Sequence, residues 1–207
     1  MRIAFFGGTF DPPHRGHIAI ARAAITRLAL DQVLVAPVAT QPLKGGSGHS
    51  SFADRLAMVQ LAVAGEPGLT ASSIDAPLLG GKPNYTFDTL QRLSHLLAPP
   101  DVLFCDFIVA GRPGFSLQQI TSAFPKGVEN RGERREAAFT RFSLANRSGQ
   151  SAELFLLPDL DQDISATEIR AALAEGSEQQ TVLAPAVAEY IRSHALYRPE
   201  ASSSFTA

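Results

Sequence analysis

The chain has no tryptophan, a single cysteine (Cys105) and only two methionines among its 207 residues. One thiol cannot build an internal disulfide framework, so the fold must rest on its core, and this cysteine usage fits a reducing, cytoplasmic setting. No apolar run approaches the roughly 20 residues of a membrane-spanning helix, and the apolar stretch at residues 3–6 is too short for a signal peptide. Neither sign of charge dominates: 18 basic side chains face 20 acidic ones, a net charge of -2. That balance argues against a broad nucleic-acid footprint and leaves room for a small basic pocket. The phosphate-binding fingerprints GxxxxGK[ST] and GxGxxG are both missing, and with them the usual kinase and dehydrogenase signatures. There is no internal repeat.

The hydrophobic content, 45%, is enough for a compact domain with a real core. Short apolar runs alternate with segments of helical spacing. "RIAFFGG" (2–8) and "QVLVAP" (32–37) read as buried strands, and "RGHIAIARAAITRLAL" (15–30) places Ile18, Ala21, Ile25 and Leu28 on one helical face. "SFADRLAMVQLAV" (51–63) predicts a helix capped by the pair Ser51 and Asp54. "LTASSIDA" (69–76) is a weaker strand, "TFDTLQRLSHLLA" (86–98) a helix capped by Thr86, and "DVLFCDFIVAG" (101–111) a strand. A short helix over 116–124, a mobile polar stretch over 125–136, a strand over 152–158, a helix over 165–176 stopped by Gly176 and a last helix over 184–197 complete the pattern. Strands alternating with helices predict one doubly wound, Rossmann-like α/β domain over residues 1–198 with a parallel sheet, followed by a disordered tail at 199–207.

In such folds ligands bind outside the carboxyl ends of the strands, where strand one hands over to its helix. Gly7 and Gly8 lie there, and glycine lets backbone amides approach a phosphate. His14 and His17 follow at the start of the helix, where free amides and the helix dipole favour an anion and protonated imidazoles would add charge-assisted bonds. Zinc is the weaker reading: it needs three or four ligands, and His49, His95 and His194 have no ligand-like spacing. Two ordinary surface histidines at a helix start are the bland alternative.

The stretch "GGTFDPPHRGH" (7–17) closely resembles the signature of the HxGH nucleotidyltransferase superfamily, and in its wider form the bacterial nicotinate mononucleotide adenylyltransferases. The resemblance implies that His14 and His17 are catalytic and that Gly7, Gly8, Thr9 and Phe10 belong to the ATP site. Three further stretches agree, in family order. "QPLK" (41–44) resembles a loop whose lysine, here Lys44, faces phosphates of ATP and mononucleotide. "KPNYTFDTL" (82–90) resembles the mononucleotide-recognition segment, implying Tyr85 and Thr86, and argues against a pantetheine-phosphate or cytidylyl acceptor. "ISATEIR" (164–170) resembles the late phosphate motif, implying Ser165, Thr167 and Arg170, although Ser165 with Glu168 would also make a capping box and Arg170 a surface residue.

The resemblance implies adenylyl transfer from ATP to nicotinate mononucleotide, with Mg²⁺ accompanying ATP, in NAD biosynthesis. The chain departs from the family in its middle. Members usually have a strand ending in Gly-x-Asp and a tryptophan-bearing helix before the strand that ends in "RPG". Here Phe104 and Asp106 are separated by Cys105 alone. A strand–helix crossover of a dozen residues or more is shortened or lost. The alternative function is therefore a catalytically impaired homologue that retains nucleotide binding.

Overall fold

A computed structural model describes residues 2–39, 50–78, 84–97, 106–110, 124, 126–158, 160, 164–177, 179 and 181–198. Lys44, the helix expected over 116–124 apart from Phe124, and the tail at 199–207 lie outside them. The elements run β1 (Ile3–Gly8), α1 (Arg15–Leu28), β2 (Gln32–Pro37), α2 (Phe52–Val63), β3 (Leu69–Ala71), α3 (Thr86–Leu97), β4 (Phe107–Ala110), β5 (Val128–Arg135), β6 (Thr140–Asn146), β7 (Ser151–Leu157), α4 (Ala166–Ala174) and α5 (Pro185–Ser193). They group into two compact units, each drawn from several stretches of chain. One comprises Phe5–Ile18, Leu34–Asn84 and Ile164–Ala207; the other comprises Met1–Ala4, Ala19–Val33 and Tyr85–Asp163.

Strands β1, β2 and β3 form a sheet in that order, and a helix spans each connection. Such a crossover is what parallel neighbours require. Central β2 is the most buried, with Val33, Val35 and Ala36 at 2% exposure or less. Helix α2 begins as its sequence predicts: the Ser51 hydroxyl accepts the Asp54 amide at 3.1 Å and donates to the Asp54 carboxylate at 2.6 Å. That hydroxyl bond, helped by one from Tyr190, holds the Asp54 carboxyl below its ordinary range against the opposing cost of burial. The inner face of α2 supplies Met58 and Ala62 to a core with Ile169, Leu183, Val187 and Ile191. Each of the larger side chains in this core stabilises by roughly 1.5–3 kcal/mol when fully buried.

The other unit holds a four-stranded sheet in the order β4-β7-β6-β5. β4 runs parallel to β7, whereas β5–β6 and β6–β7 are antiparallel. Central β7 is buried on both faces, which explains its unbroken apolar run. Leu154 and Leu156 pack with Phe142 and Leu144, while Phe155 and Leu157 pack with Ala24 and Leu28.

Several expectations are corrected. The polar stretch at 125–136 is not a mobile loop: it supplies edge strand β5, paired from Val128↔Asn146 to Arg135↔Thr140 with a bulge between Asn130 and Gly132. Charge along both faces and a bulge suit an edge that must not recruit another strand. The four-stranded sheet therefore combines one parallel and two antiparallel pairings, within the α/β class the sequence predicts. Of the strand expected over 101–111, the described part is Phe107–Ala110. Helix α1 stops at Leu28, not at residue 30, because Ala29 takes a left-handed conformation (φ 49°). Thr86 is the first helical residue and not the cap, since the Tyr85 carbonyl receives the Thr89 amide. Ser165 stands at the N-cap of α4 but makes no side-chain cap bond, so the capping box with Glu168 does not form.

Candidate functional site

The HxGH turn and the late "ISATEIR" segment belong to one compact unit. At the turn's centre the His14 and His17 rings stack with centroids 3.7 Å apart and planes 29° from parallel. Their three-residue spacing across the first turn of α1 makes this possible. His14 is buried and His17 half-buried. The His17 ring also meets the Phe10 ring edge-to-face at 4.9 Å, and Phe10 in turn meets Phe6 at 5.4 Å. The His14 amide donates to His17 Nδ1 at 3.2 Å. With Nδ1 as the acceptor of that bond, Nε2 is the ring nitrogen left to donate.

Two amides at the helix start find partners within the protein. The Arg15 amide donates to the Val182 carbonyl at 2.8 Å and the His17 amide to His14 at 2.9 Å.

Gly8 has a packing reason to be glycine. A Cβ there would sit 3.0–3.3 Å from three carbons of the Phe10 ring. That ring is 1% exposed and held at a left-handed backbone (φ 50°), so it cannot give way. We predict that Gly8→Ala destabilises by about 1–3 kcal/mol, the range of core overpacking. A thermal melt checks it; an unchanged midpoint would mean that the ring accommodates the methyl. At Gly7 the neighbour is the Phe5 ring, 2.9 Å from the added carbon, and Gly7 itself is exposed.

Three residues that the sequence did not single out organise the turn. Asp11 is 1% exposed; its Oδ1 accepts from the Tyr197 hydroxyl at 2.5 Å, from the Ser50 hydroxyl and from the Ser50 amide at 3.3 Å. Arg55, 5% exposed, donates to the carbonyls of Thr9 (3.0 Å), Val38 (2.7 Å), Ala39 (3.2 Å) and Ser50 (3.3 Å). Burial pulls its guanidinium downward in pKa, and the charge of Asp11 opposes that shift. Tyr197 is the third. An isolated acid in a turn, an arginine inside an apolar helix and a tyrosine near the chain's end carry no local signal.

Arg170 is drawn to this turn: its Nη1 donates to the Asp11 carbonyl at 2.7 Å and its Nη2 to the exposed Thr167 hydroxyl at 3.4 Å. The structure thus brings Arg170 and Thr167 together with the residues that precede His14. Ser165 lies half-buried at the start of the same helix. Tyr85 and Thr86 are exposed at the start of α3 in the other unit. Asn84, directly before them in the chain, is buried and donates to the Asp75 carbonyl and carboxylate and to the Ala76 carbonyl.

Comparison with known proteins adds to this geometry. The family described as Cytidylyltransferase-like matches residues 5–172. A relative from Laribacter hongkongensis, described as a probable nicotinate-nucleotide adenylyltransferase, is 37% identical over 97% of this chain and 96% of its own length. One from Solibacter usitatus with the same description is 36% identical over 95% of this chain and all of its own. Among solved structures, a Plasmodium falciparum nicotinic acid mononucleotide adenylyltransferase complexed with NaAD is similar at a TM-score of 0.65 and 17% identity, covering 95% of this chain and 97% of that one. At that identity the likeness speaks for the fold. Among the described residues no helix is long and apolar enough to cross a membrane.

Proposed function

Because the chain belongs to the cytidylyltransferase-like family, and within it to the nicotinate-nucleotide adenylyltransferases, we propose that it joins ATP and nicotinate mononucleotide into nicotinate adenine dinucleotide, releasing pyrophosphate. The observation that carries this reading is the stacked His14–His17 pair on a buried turn to which Arg170 is hydrogen-bonded. A phosphate oxygen of the mononucleotide forms a bond to the α-phosphorus of ATP as the bond from that phosphorus to the bridging oxygen breaks. No group of the protein is covalently modified. Its contribution is position and electrostatics, acting on charge that grows on phosphate oxygens.

His17, donating from Nε2, and His14 beside it stabilise that charge. Gly7, Gly8, Thr9 and Phe10 shape the floor of the ATP site, and Ser165, Thr167 and Arg170 hold the triphosphate. Lys44 serves the phosphates of both substrates. Tyr85 and Thr86 read the mononucleotide at the head of α3, whose exposed first turn suits a carboxylate. Imidazoles and a guanidinium donate to phosphate oxygens and are poor ligands for a hard, oxygen-seeking cation, which fits a Mg²⁺ ion that arrives on ATP. When bound, that ion neutralises charge on the phosphates. The lone cysteine and these soluble substrates are consistent with a cytoplasmic setting.

Arg170 is expected to serve both turn and nucleotide. Arg170→Ala should raise the KM for ATP about tenfold, the scale of one lost charge-assisted contact. An unchanged KM would leave Arg170 with the Asp11 carbonyl alone.

The test of the function is direct: purified protein with ATP, Mg²⁺ and nicotinate mononucleotide, following pyrophosphate and the dinucleotide together. Matched formation of both is the expected result. ATP binding without either product would overturn the transferase reading and leave a nucleotide-binding protein.

A further inference from the structure

The Asp11 carboxylate is more buried than either histidine, yet nothing in the proposed chemistry uses it. Its surroundings suggest what it does. We propose that the hydrogen bond from the Tyr197 hydroxyl to Asp11 is a positioning device, through which the segment after α5 sets the orientation of the His14–His17 pair. The proposal rests on the reading of that pair as the phosphate-stabilising group.

The argument follows the chain of contacts. Tyr197 and its neighbour Leu196 pack against the core built by Met58, Leu183, Val187 and Ile191, and the Tyr197 hydroxyl lies 4.0 Å from the Met58 sulfur. Left-handed conformations at Ala195 (φ 53°) and Tyr197 (φ 62°) turn the chain back after the helix. The hydroxyl thus reaches Asp11 across 186 positions of sequence at 2.5 Å. Burial, and then the bond to Asp11, push its ionisation far above the ordinary tyrosine range, so it remains a donor at any physiological pH.

Asp11 passes the constraint on. Between it and His14 stand Pro12 and Pro13, both fully buried. Proline fixes φ near −65°, so this dipeptide has little freedom to absorb a displacement at its start. A shift of the Asp11 carboxylate is therefore carried to the His14 backbone. The His14 amide is in turn the donor that holds His17 Nδ1. The path runs from core to tyrosine, to carboxylate, to rigid turn, to imidazole pair. Ser50 bonds the same carboxylate and keeps it anchored on one side when the tyrosine bond is lost. Loss of the tyrosine hydroxyl should consequently loosen the turn without unfolding it. Tyr197 and Asp11 are positioning residues, since neither needs to touch substrate.

The experiment is Tyr197→Phe, which removes one oxygen and leaves the ring in its core contacts, beside Asp11→Ala, which removes the acceptor, and the double variant. In the free protein, the imidazole resonances of His14 and His17 should shift and broaden in Tyr197→Phe while the methyl signals of Ile169 and Ile191 stay in place. In turnover, kcat should fall about tenfold with the KM for mononucleotide within about twofold, a modest misalignment effect. The double variant should lose no more than the worse single one, as expected when two substitutions break the same bond. Unmoved imidazole signals, an unchanged kcat or additive losses in the double variant would each overturn the proposal. So would a loss of rate that merely follows the unfolded fraction in a thermal melt. If the unaltered protein shows no adenylyl transfer, the functional reading fails, and the resonances of the free protein still decide whether Tyr197 orients the histidines.

Discussion

His17→Ala is expected to lower kcat by about a hundredfold to a thousandfold, the cost of removing one preorganised donor aimed at developing charge. The geometry makes this a clean substitution. His17 is half-buried on the first turn of α1, and alanine is the residue a helix tolerates best. What is lost in the fold is one face of a stack with His14, an edge contact to Phe10 and the acceptor for the His14 amide. Those contacts together are worth about 1 kcal/mol, a typical single-site change. Activity and stability should therefore separate by a wide margin. His17→Gln gives a graded control, because the glutamine amide nitrogen reaches the neighbourhood of the imidazole Nε2 and can donate in its place. Steady-state pyrophosphate release on both variants, beside their thermal midpoints, checks the claim. A rate within a few-fold of the unaltered protein in His17→Ala would remove His17 from the chemistry. Equal rates in the alanine and glutamine variants would say that the Nε2 donor is not what matters.

What could be read from sequence divides along physical lines. Helix α2 is legible because its signals are local: Ser51 caps Asp54, and its apolar face points to one core. The HxGH stretch is legible as a strand-to-helix turn because its glycines and Asp-Pro-Pro sequence stand directly behind an apolar strand. Strand β5 is not, because an edge strand with polar residues on both faces has no alternation to find. Its partner did carry a signal. In β6 the buried Phe142 and Leu144 alternate with polar neighbours, and Asn146 to Gly149 then make a turn in which the Asn146 side chain accepts the amides of Ser148 and Gln150. That pattern announces a hairpin. Asp11, Arg55 and Tyr197 were illegible for a different reason. Each works through partners far away in sequence, up to 186 positions for Tyr197, and periodicity reports only on neighbours within a turn or a strand.

Arg55 makes the strongest case of this kind. Its guanidinium is 5% exposed and donates to carbonyls on three separate segments: Thr9 in the turn after β1, Val38 and Ala39 after β2, and Ser50 ahead of α2. Ala39 and Ser50 stand on either side of residues 40–49 in the sequence, so one side chain ties the segments after β2 and before α2 to the histidine turn. Planarity is essential, since the planar fork of five N–H groups reaches in several directions at once. Lysine could satisfy only part of the set from a single nitrogen. Arg55→Met leaves the methylene packing largely in place but strands buried carbonyls and removes the cation facing Asp11. Breaking a buried charged network of this kind costs about 3–5 kcal/mol, which for a chain of this size lowers the melting midpoint by roughly 10 °C. Arg55→Lys should fall between the two. Turnover by Arg55→Met, measured well below its midpoint, should also drop, because the Thr9 and Ser50 backbones lose their common anchor. A midpoint within about 2 °C of the unaltered protein, less than 1 kcal/mol at this chain length, would show that water replaces the guanidinium at those carbonyls without penalty. A lowered midpoint with full activity would instead confine Arg55 to stability and leave the orientation of the site to Asp11 and its tyrosine.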